Sequence, residues 1–198
     1  LLPPDLTQPP MQLPWSPGET WYYTGGPHGG FGSGSAWAAV DFAPPGDENT
    51  QGCFVAPQWA TAVADGEVVR SGEGFVILDL DMDGDETTGW TVVYLHLASE
   101  GRVPAGRTVR AGDPLGHPSC EGGVSNATHL HIARRYNGEW IPAHCHYCAP
   151  GVPDVPFVLG GWTIRGLEGQ EYQGFMVNGT EYRRAEQGRD NPLNQVSW

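Results

Sequence analysis

Residues 128–134 read THLHIAR and place two histidines, His129 and His131, two positions apart in an apolar run. In a β-strand, residues i and i+2 point to the same face and lie about 6.5 Å apart. In a helix the same spacing would direct them to nearly opposite sides. On a strand, one imidazole can bind a metal ion while the other lies close enough to contact the ligand bound to that metal. A surface strand can also carry two histidines without a function, so the pair has to be judged with the residues upstream.

Three upstream residues stand in contexts that favour a role at such a site. His28 has glycines close on both sides (GGPHGG), which lets the backbone approach closely. Asp41 interrupts the apolar run AAVDFA at 38–43, where a carboxylate must be paired or bound to a cation to offset its desolvation. His96 lies in the apolar run VVYLHL, where histidine is costly unless it is hydrogen-bonded or functional.

The composition favours a single all-β or β-rich domain built on an antiparallel sheet with long loops. A chain of 198 residues fits one domain and can bury a core. Its 29 glycines and 18 prolines separate short apolar runs rich in Val, Ile, Trp and Tyr, a pattern typical of strands and turns. We expect residues 1–20 to form an extended Pro-rich arm and residues 21–198 the domain, with 142–198 as a C-terminal extension. Asn137-Gly138 predicts a hairpin turn.

The charge excludes several classes of partner. The formal net charge is −13 and all ten basic residues are arginine, which argues against nucleic-acid binding and against attraction to anionic surfaces. No apolar run approaches the roughly eighteen residues of a membrane span. The N-terminal segment lacks the basic and apolar regions of a signal peptide, so we expect a secreted bacterial protein whose signal peptide has been removed.

The four cysteines are an even number, which suits disulfides in a secreted protein. Three pairings are possible. We favour Cys53 with Cys120, a bridge that would brace the loop leading to His129, and Cys145 with Cys148. A second zinc site is the alternative for the last pair, because the segment 144–148 also carries His144 and His146.

An acidic stretch at 79–85 (DLDMDGD) copies the first half of a calcium-binding loop. The candidate Ca²⁺ ligands are Asp79, Asp81, Asp83 and Asp85. The glutamate expected at the twelfth position is replaced by Trp90. An acidic, solvated hairpin tip is the alternative interpretation.

The five residues taken in order resemble the lysostaphin-type zinc metallopeptidases, the LytM-domain endopeptidases that cut peptidoglycan peptide bridges. In that family a histidine, an aspartate and the second histidine of H-x-H hold one zinc ion, which here implies His28, Asp41 and His131. The family's catalytic pair corresponds to His96 and His129. The resemblance runs from about residue 21 to 140. Twelve residues separate His28 from Asp41, a longer gap than in most members, and this is similar to the staphylolysin (LasA protease) branch.

The resemblance implies a secreted zinc metalloendopeptidase that hydrolyses peptidoglycan cross-bridges, which we expect to contain glycine. Three protein ligands leave a fourth zinc position open to water, and zinc lowers the pKa of such a water to about 7. We assign His129 as the general base and His96 as the donor that stabilises the oxyanion; the two roles could be exchanged. We expect a monomer.

Long loops should form a groove over the zinc. The residues expected to contact substrate are Tyr22, Tyr23 and Tyr94, with the loop 29–35 as a mobile wall. A non-catalytic LytM-like module that binds or regulates the cell wall is the alternative function, although such modules usually lose metal ligands. A structural zinc protein is disfavoured, because two spare histidines beside three ligands indicate an open site.

Overall fold

The computed structural model describes residues 2–32, 34–46, 51–146, 148–189 and 192–198. Within these ranges the regular structure is β-strand, apart from one three-residue 3₁₀ helix. The prediction of an all-β, antiparallel, single-domain fold is confirmed. None of the described helical structure is long and apolar enough to cross a membrane.

The described residues form fifteen strands and the 3₁₀ turn, in order along the chain. Their bounds are β1 Thr20–His28, β2 Ala39–Ala43, β3 Ala60–Thr61, β4 Gly66–Gly72, β5 Phe75–Asp79, β6 Trp90–Leu95, β7 Thr108–Val109, β8 Pro114–Gly116, β9 Leu130–Tyr136, β10 Glu139–Trp140, β11 Val158–Leu159, β12 Trp162–Leu167, β13 Gln170–Asn178, β14 Glu181–Arg184, η1 Pro192–Asn194 and β15 Gln195–Ser197.

Three antiparallel sheets result. The main sheet has nine strands in the order β15-β1-β2-β9-β6-β5-β4-β7, with β10 paired to β9. A second sheet, which we call the C-terminal sheet, has the order β11-β12-β13-β14, and β3 pairs with β8. The turn between β9 and β10 is Asn137-Gly138, with φ of 48° and 76°. Positive φ at both positions is the type I′ hairpin geometry, so the predicted turn is confirmed.

Strands β2 and β9 each present one face to the core and one to the opposite side. On the core side lie Val40, Leu130 and Ile132, which are fully buried in the main hydrophobic cluster. Because side chains alternate along a strand, Asp41 and His131 point to the opposite face. These two residues are direct partners in the β2–β9 register, so the sheet itself places them side by side.

The N-terminal arm and the C-terminal extension contribute to the same core as the main sheet. Leu13 and Trp15 from the arm are fully buried, and the Trp15 ring stacks on Trp21 of β1 at 5.2 Å. Phe157 and Ile164 from the extension belong to the same cluster. The division of the chain at residues 20 and 142 stays a prediction, and the core is shared across both positions.

Arg134, on the core side of β9, is completely buried. Its guanidinium lies over the Phe157 ring at 4.7 Å, and burial lowers its pKa to about 9. It hydrogen-bonds neutral oxygens from the arm and from the segment after β10, namely Gln8 Oε1 and the carbonyls of Pro142, Val155 and Pro156. One side chain therefore joins β9, the arm and the approach to the C-terminal sheet.

Candidate metal centre

Three side-chain atoms from β1, β2 and β9 form a compact triangle. His28 Nε2 lies 3.0 Å from His131 Nδ1 and 3.2 Å from Asp41 Oδ1, and His131 Nδ1 lies 3.3 Å from Asp41 Oδ1. Ligands in a tetrahedral zinc site at bond lengths of about 2.0–2.1 Å are about 3.3 Å apart. The triangle therefore has the dimensions of one face of a zinc coordination tetrahedron.

The backbone fixes the tautomer of both imidazoles. His28 Nδ1 lies 2.7 Å from the carbonyl of Gly26, and His131 Nε2 lies 2.6 Å from the carbonyl of Gly30. A carbonyl oxygen only accepts hydrogen bonds, so these two nitrogens carry the protons and the other two present lone pairs. Asp41 Oδ1 is buried and receives no hydrogen bond of good geometry within the described structure. Three lone pairs thus converge on one point, an arrangement that a cation stabilises.

The electrostatics of the cluster also favour a positive charge at this point. Burial alone would lower the pKa of His28, but the carboxylate of Asp41, 3.2 Å away, outweighs it and raises the pKa. Burial alone would raise the pKa of Asp41, but the imidazoles of His131 and His28 outweigh it and lower the pKa. In the absence of a metal, the cluster would hold a proton in its place.

The predicted catalytic pair lies beside this triangle. His129 Nε2 is 3.6 Å from Asp41 Oδ1, and its Nδ1 donates to the carbonyl of Ala127 at 2.8 Å. The His96 ring lies 4.5 Å from that of His129, and its Nδ1 donates to the carbonyl of Glu121 at 3.1 Å. Both histidines thus have Nε2 available for chemistry. The structure brings together all five residues of the sequence-predicted site.

His96 owes its position to an unusual backbone. It follows β6 directly and has a left-handed φ of 67°. Had the strand continued, its side chain would share the core-facing side of Tyr94, which is opposite Ile132. The carbonyl of His96 accepts hydrogen bonds from the backbone N–H and the hydroxyl of Ser119, at 2.6 and 3.1 Å. Such a conformation costs on the order of 1–3 kcal/mol and persists where surrounding contacts impose it.

Burial and the neighbouring His129 imidazole lower the pKa of His96 to about 4. His96 is therefore neutral near pH 7, with its proton on Nδ1 and a lone pair on Nε2. A lone pair accepts a hydrogen bond, so the predicted donor role of His96 requires its protonated form. The neutral form suits proton acceptance.

A disulfide joins Cys53 to Cys120 and braces the loop between His96 and His129. The second disulfide joins Cys145 to Cys148, so both favoured pairings are confirmed. Near the first bridge, Thr128 N donates to the carbonyl of Gly52 at 2.9 Å. The bridge and this contact hold the segment that enters the H-x-H strand.

Replacing both Cys53 and Cys120 by serine should cost about 4 kcal/mol of unfolding free energy, because the bridge closes a long loop in the unfolded chain. The two cysteines are 67 positions apart, whereas Cys145 and Cys148 are three apart. Loop-closure entropy grows with loop length, so the corresponding serine variant of the second pair should lose less. Urea unfolding of both variants measures the two losses. The opposite ranking would contradict this account.

Tyr172, at the start of the C-terminal sheet's β13, is a site residue that sequence reasoning missed. Its ring stacks on His28 at 4.2 Å with an interplanar angle of 19°, and the residue is 51% exposed. Like His96 it has a left-handed φ, 65°. The adjacent Glu171 accepts a hydrogen bond from the backbone of Gly29 at 3.4 Å. The hairpin β12–β13 thus covers the His28 side of the centre.

The prediction that Tyr23 and Tyr94 contact substrate is wrong. Both side chains are fully buried in the main core, and the Tyr94 hydroxyl accepts a hydrogen bond from Val63 N at 2.9 Å. Strand alternation turns them away from the face that carries Asp41. Tyr22 is half-buried and pairs with Ala43, on the same face as the site. Its role in substrate binding stays a prediction.

The loop 29–35 is attached to the site at Gly30, whose carbonyl bonds His131. A Cβ at Gly30 would lie 2.6 Å from the Trp140 ring, so only glycine fits this approach. The ring of Phe31 is exposed. Ser33 lies outside the described residues, and the predicted mobility of this loop stays a prediction.

In the acidic stretch, carboxylate oxygens of Asp79, Asp81 and Asp83 lie within 4.8 Å of one another, and Asp85 is outside this group. Burial of Asp79 raises its pKa to about 6. Calcium binding there stays a prediction. At the other cluster, Cys145 and Cys148 are bonded to each other, which leaves no thiolate for a second zinc ion. Tyr147 lies outside the described residues.

Comparisons with known proteins place this geometry in context. The model of Peptidase family M23 matches residues 50–142, a segment that contains His96, His129 and His131. It begins after His28 and Asp41, so those two ligands are assigned from the geometry. A search of curated proteins found no match.

Among solved structures, the chain is similar to the M23 metalloprotease pseudoalterin from the deep sea, with a TM-score of 0.65 and 23% identity over 93% of this chain and 97% of that one. This likeness shows a shared fold. The catalytic domain of lysostaphin from Staphylococcus simulans matches with a TM-score of 0.39 and 24% identity over 63% of this chain and 88% of that domain. Affiliation with the staphylolysin branch stays a prediction.

Proposed function

We propose that the chain is a secreted, monomeric zinc metalloendopeptidase that hydrolyses glycine-containing peptide bridges of peptidoglycan. The convergence of lone pairs from His28, Asp41 and His131, with two further imidazoles alongside, carries this proposal. The match of residues 50–142 to Peptidase family M23 supports it. A non-catalytic wall-binding module is less well supported, because all five residues of the family pattern are present.

Zinc held by the three ligands would activate a water molecule and polarise the scissile carbonyl. The chain's own residues handle the proton. His129 Nε2 is next to the centre and has a lone pair, since its Nδ1 proton is donated to Ala127, so His129 acts as the general base. Once protonated, it can return that proton to the leaving amine. His96 is assigned to stabilise the oxyanion, a role that needs the protonated form, which is the minor one near pH 7; in its neutral form it can exchange roles with His129 as the proton acceptor.

The surroundings of the centre support a preference for small residues at the cut. His28, Asp41 and His131 are each less than one-tenth exposed, and the Tyr172 ring covers His28 at 4.2 Å. Little room remains on that side for a bulky side chain beside the scissile bond. The net charge of −13 disfavours long-range attraction to anionic wall polymers, which points to a neutral peptide bridge.

The test is digestion of two matched peptides followed by mass spectrometry. One contains a run of glycines; the other has leucine on both sides of the central bond. The purified protein should contain about one zinc and cleave next to glycine, and should leave the leucine bond intact. Chelation should abolish cleavage and added zinc should restore it. Cleavage unaffected by chelation, or confined to the leucine peptide, would contradict the proposal.

A further inference from the structure

A cavity of about 260 Å³ lies beside the metal centre, between the segment 144–146 and the hairpin β12–β13. Its walls include Pro27, Trp37 and Leu167, together with the imidazoles of His144 and His146. It is smaller than the 300 Å³ or more of pockets for drug-sized ligands, so its volume suits one side chain of a larger ligand. Pro27 belongs to β1, directly before His28, and the hairpin β12–β13 that forms the other wall carries Tyr172, which stacks on His28.

The two histidines of this cavity are fixed by one glycine of β12. His144 Nδ1 accepts a hydrogen bond from Gly166 N at 2.8 Å, and His146 Nε2 donates to the carbonyl of Gly166 at 3.0 Å. Strand β11 pairs with β12 only at residues 162 and 163, so the backbone of Gly166 has no strand partner on that edge. The imidazoles take the place of that partner.

These contacts determine whether the second nitrogen of each ring is a hydrogen-bond donor or an acceptor. Since His144 Nδ1 accepts, the neutral ring carries its proton on Nε2; since His146 Nε2 donates, its Nδ1 has the lone pair. The rings are in edge contact, with centroids 4.5 Å apart. His144 is half-buried and its Nε2 is not among the buried, unpaired atoms of the described residues, so this donor is accessible. His146 is exposed.

We propose that this cavity binds a primary carboxamide of the peptide substrate, the side-chain group of asparagine or glutamine. The carbonyl of such a group accepts from His144 Nε2–H, and its N–H donates to His146 Nδ1. A primary carboxamide presents its acceptor and a donor on one edge, whereas the C=O and N–H of a trans peptide unit point in opposite directions. The apolar walls from Pro27, Trp37 and Leu167 hold the methylene stem.

Charged groups fit this pair of atoms less well. A carboxylate has only acceptors and would face the lone pair of His146; an ammonium has only donors and would face the N–H of His144. The charged groups nearby are one positive and two negative, with Arg165 and Asp154 acting on His144 and the carboxylate of Glu168 at the cavity wall, so a second anion is disfavoured. The group that fits both ring nitrogens is therefore neutral and has one hydrogen-bond acceptor and one donor. The proposal rests on the proposed function, since it defines a subsite next to the same metal centre.

Two conservative variants each remove one ligand-binding atom of the subsite and keep the hydrogen bond between that side chain and Gly166. In His144→Asn the amide oxygen takes the position of Nδ1 and still accepts from Gly166 N, but the outward N–H is lost. In His146→Gln the amide nitrogen takes the position of Nε2 and still donates to the Gly166 carbonyl, but the outward lone pair is lost. The substrates are a glycine-run peptide with one flanking glutamine and the same peptide with methionine there, which matches the glutamine in shape without the amide.

In each variant, kcat/KM for the glutamine peptide should fall about 2- to 12-fold, the loss expected for one neutral hydrogen bond. The change should appear in KM with kcat unchanged, and the methionine peptide should be unaffected. Equal losses on both peptides would mean a structural role only. No loss on either, or no wild-type preference for glutamine, would overturn the proposal.

A binding measurement is independent of hydrolysis. Titrating the protein with the glutamine peptide should shift the imidazole ¹⁵N resonances of His144 and His146, and the methionine peptide should not. If these shifts occur but no peptide is cut, the proposed function fails and the subsite stands. If glycine peptides are cut but the shifts are absent, the subsite proposal is contradicted and the proposed function stands. Equal shifts with an N-methylated glutamine side chain would overturn the assignment to a primary carboxamide.

Discussion

Asp41→Asn should release the metal and abolish peptide hydrolysis. Asparagine keeps the shape of the side chain but removes the only anionic ligand of the triangle, and its NH₂ group can face the lone pairs of His28 and His131. Even changes outside the ligand set typically weaken metal affinity 10–100-fold, so loss of a ligand should exceed about 100-fold. Zinc content after dialysis and cleavage of a glycine peptide measure the two effects on the same sample.

The matched control is Asp5→Asn, which removes one negative charge at an exposed position of the arm. It should retain zinc and activity. The Asp41 variant should remain folded, because asparagine keeps the size of the side chain and leaves no unpaired charge in the buried cluster. Full zinc occupancy with wild-type affinity in Asp41→Asn would show that the ion lies elsewhere.

His129→Ala and His96→Ala should each keep zinc and lose 10²–10⁴-fold in kcat, the range for one acid–base or oxyanion group. Neither imidazole belongs to the ligand triangle, and their available Nε2 atoms lie beside it. Combining zinc analysis with single-turnover cleavage separates a loss of chemistry from a loss of metal. The pH dependence of the surviving activity in each variant identifies which histidine is the base.

His117→Ala serves as the control for removing an imidazole from the same fold. His117 donates to the carbonyl of Gln58 at 2.9 Å and its ring lies 3.7 Å from that of Trp59, and neither contact involves a residue of the predicted site. Its replacement should leave kcat unchanged. Near-normal turnover in both His129→Ala and His96→Ala would show that the catalytic pair is wrongly placed.

The sequence predicts the parts of the site that follow from strand geometry and from the family resemblance. A carboxylate in an apolar strand needs a partner and H-x-H on a strand shares one face, which singles out Asp41, His129 and His131; the resemblance implies that they belong to one site. The same alternation explains the error at Tyr23 and Tyr94. Their neighbours suggested a site wall, but their strand positions face the core.

Other features depend on information that local sequence does not carry. The left-handed backbone of His96 is imposed by Ser119 from a later loop, and histidine itself gives no signal for it. Tyr172 reaches His28 only because the C-terminal sheet packs across β1, a long-range contact. Local sequence patterns therefore do not predict contacts that depend on how one element packs against another.

Arg134 bears on how this chain could be divided or recombined with others. The family segment 50–142 contains Arg134 but lacks Gln8, Val155 and Pro156, which supply most of its hydrogen-bond acceptors. A fragment trimmed to that segment would lose these three acceptors, and a guanidinium that stays buried without hydrogen-bond partners costs more than the roughly 1–3 kcal/mol of a neutral group. The arm and the extension thus support the same strand, β9, that carries His131. Engineering by domain exchange would have to transfer the whole chain, or first replace this arginine with an apolar residue.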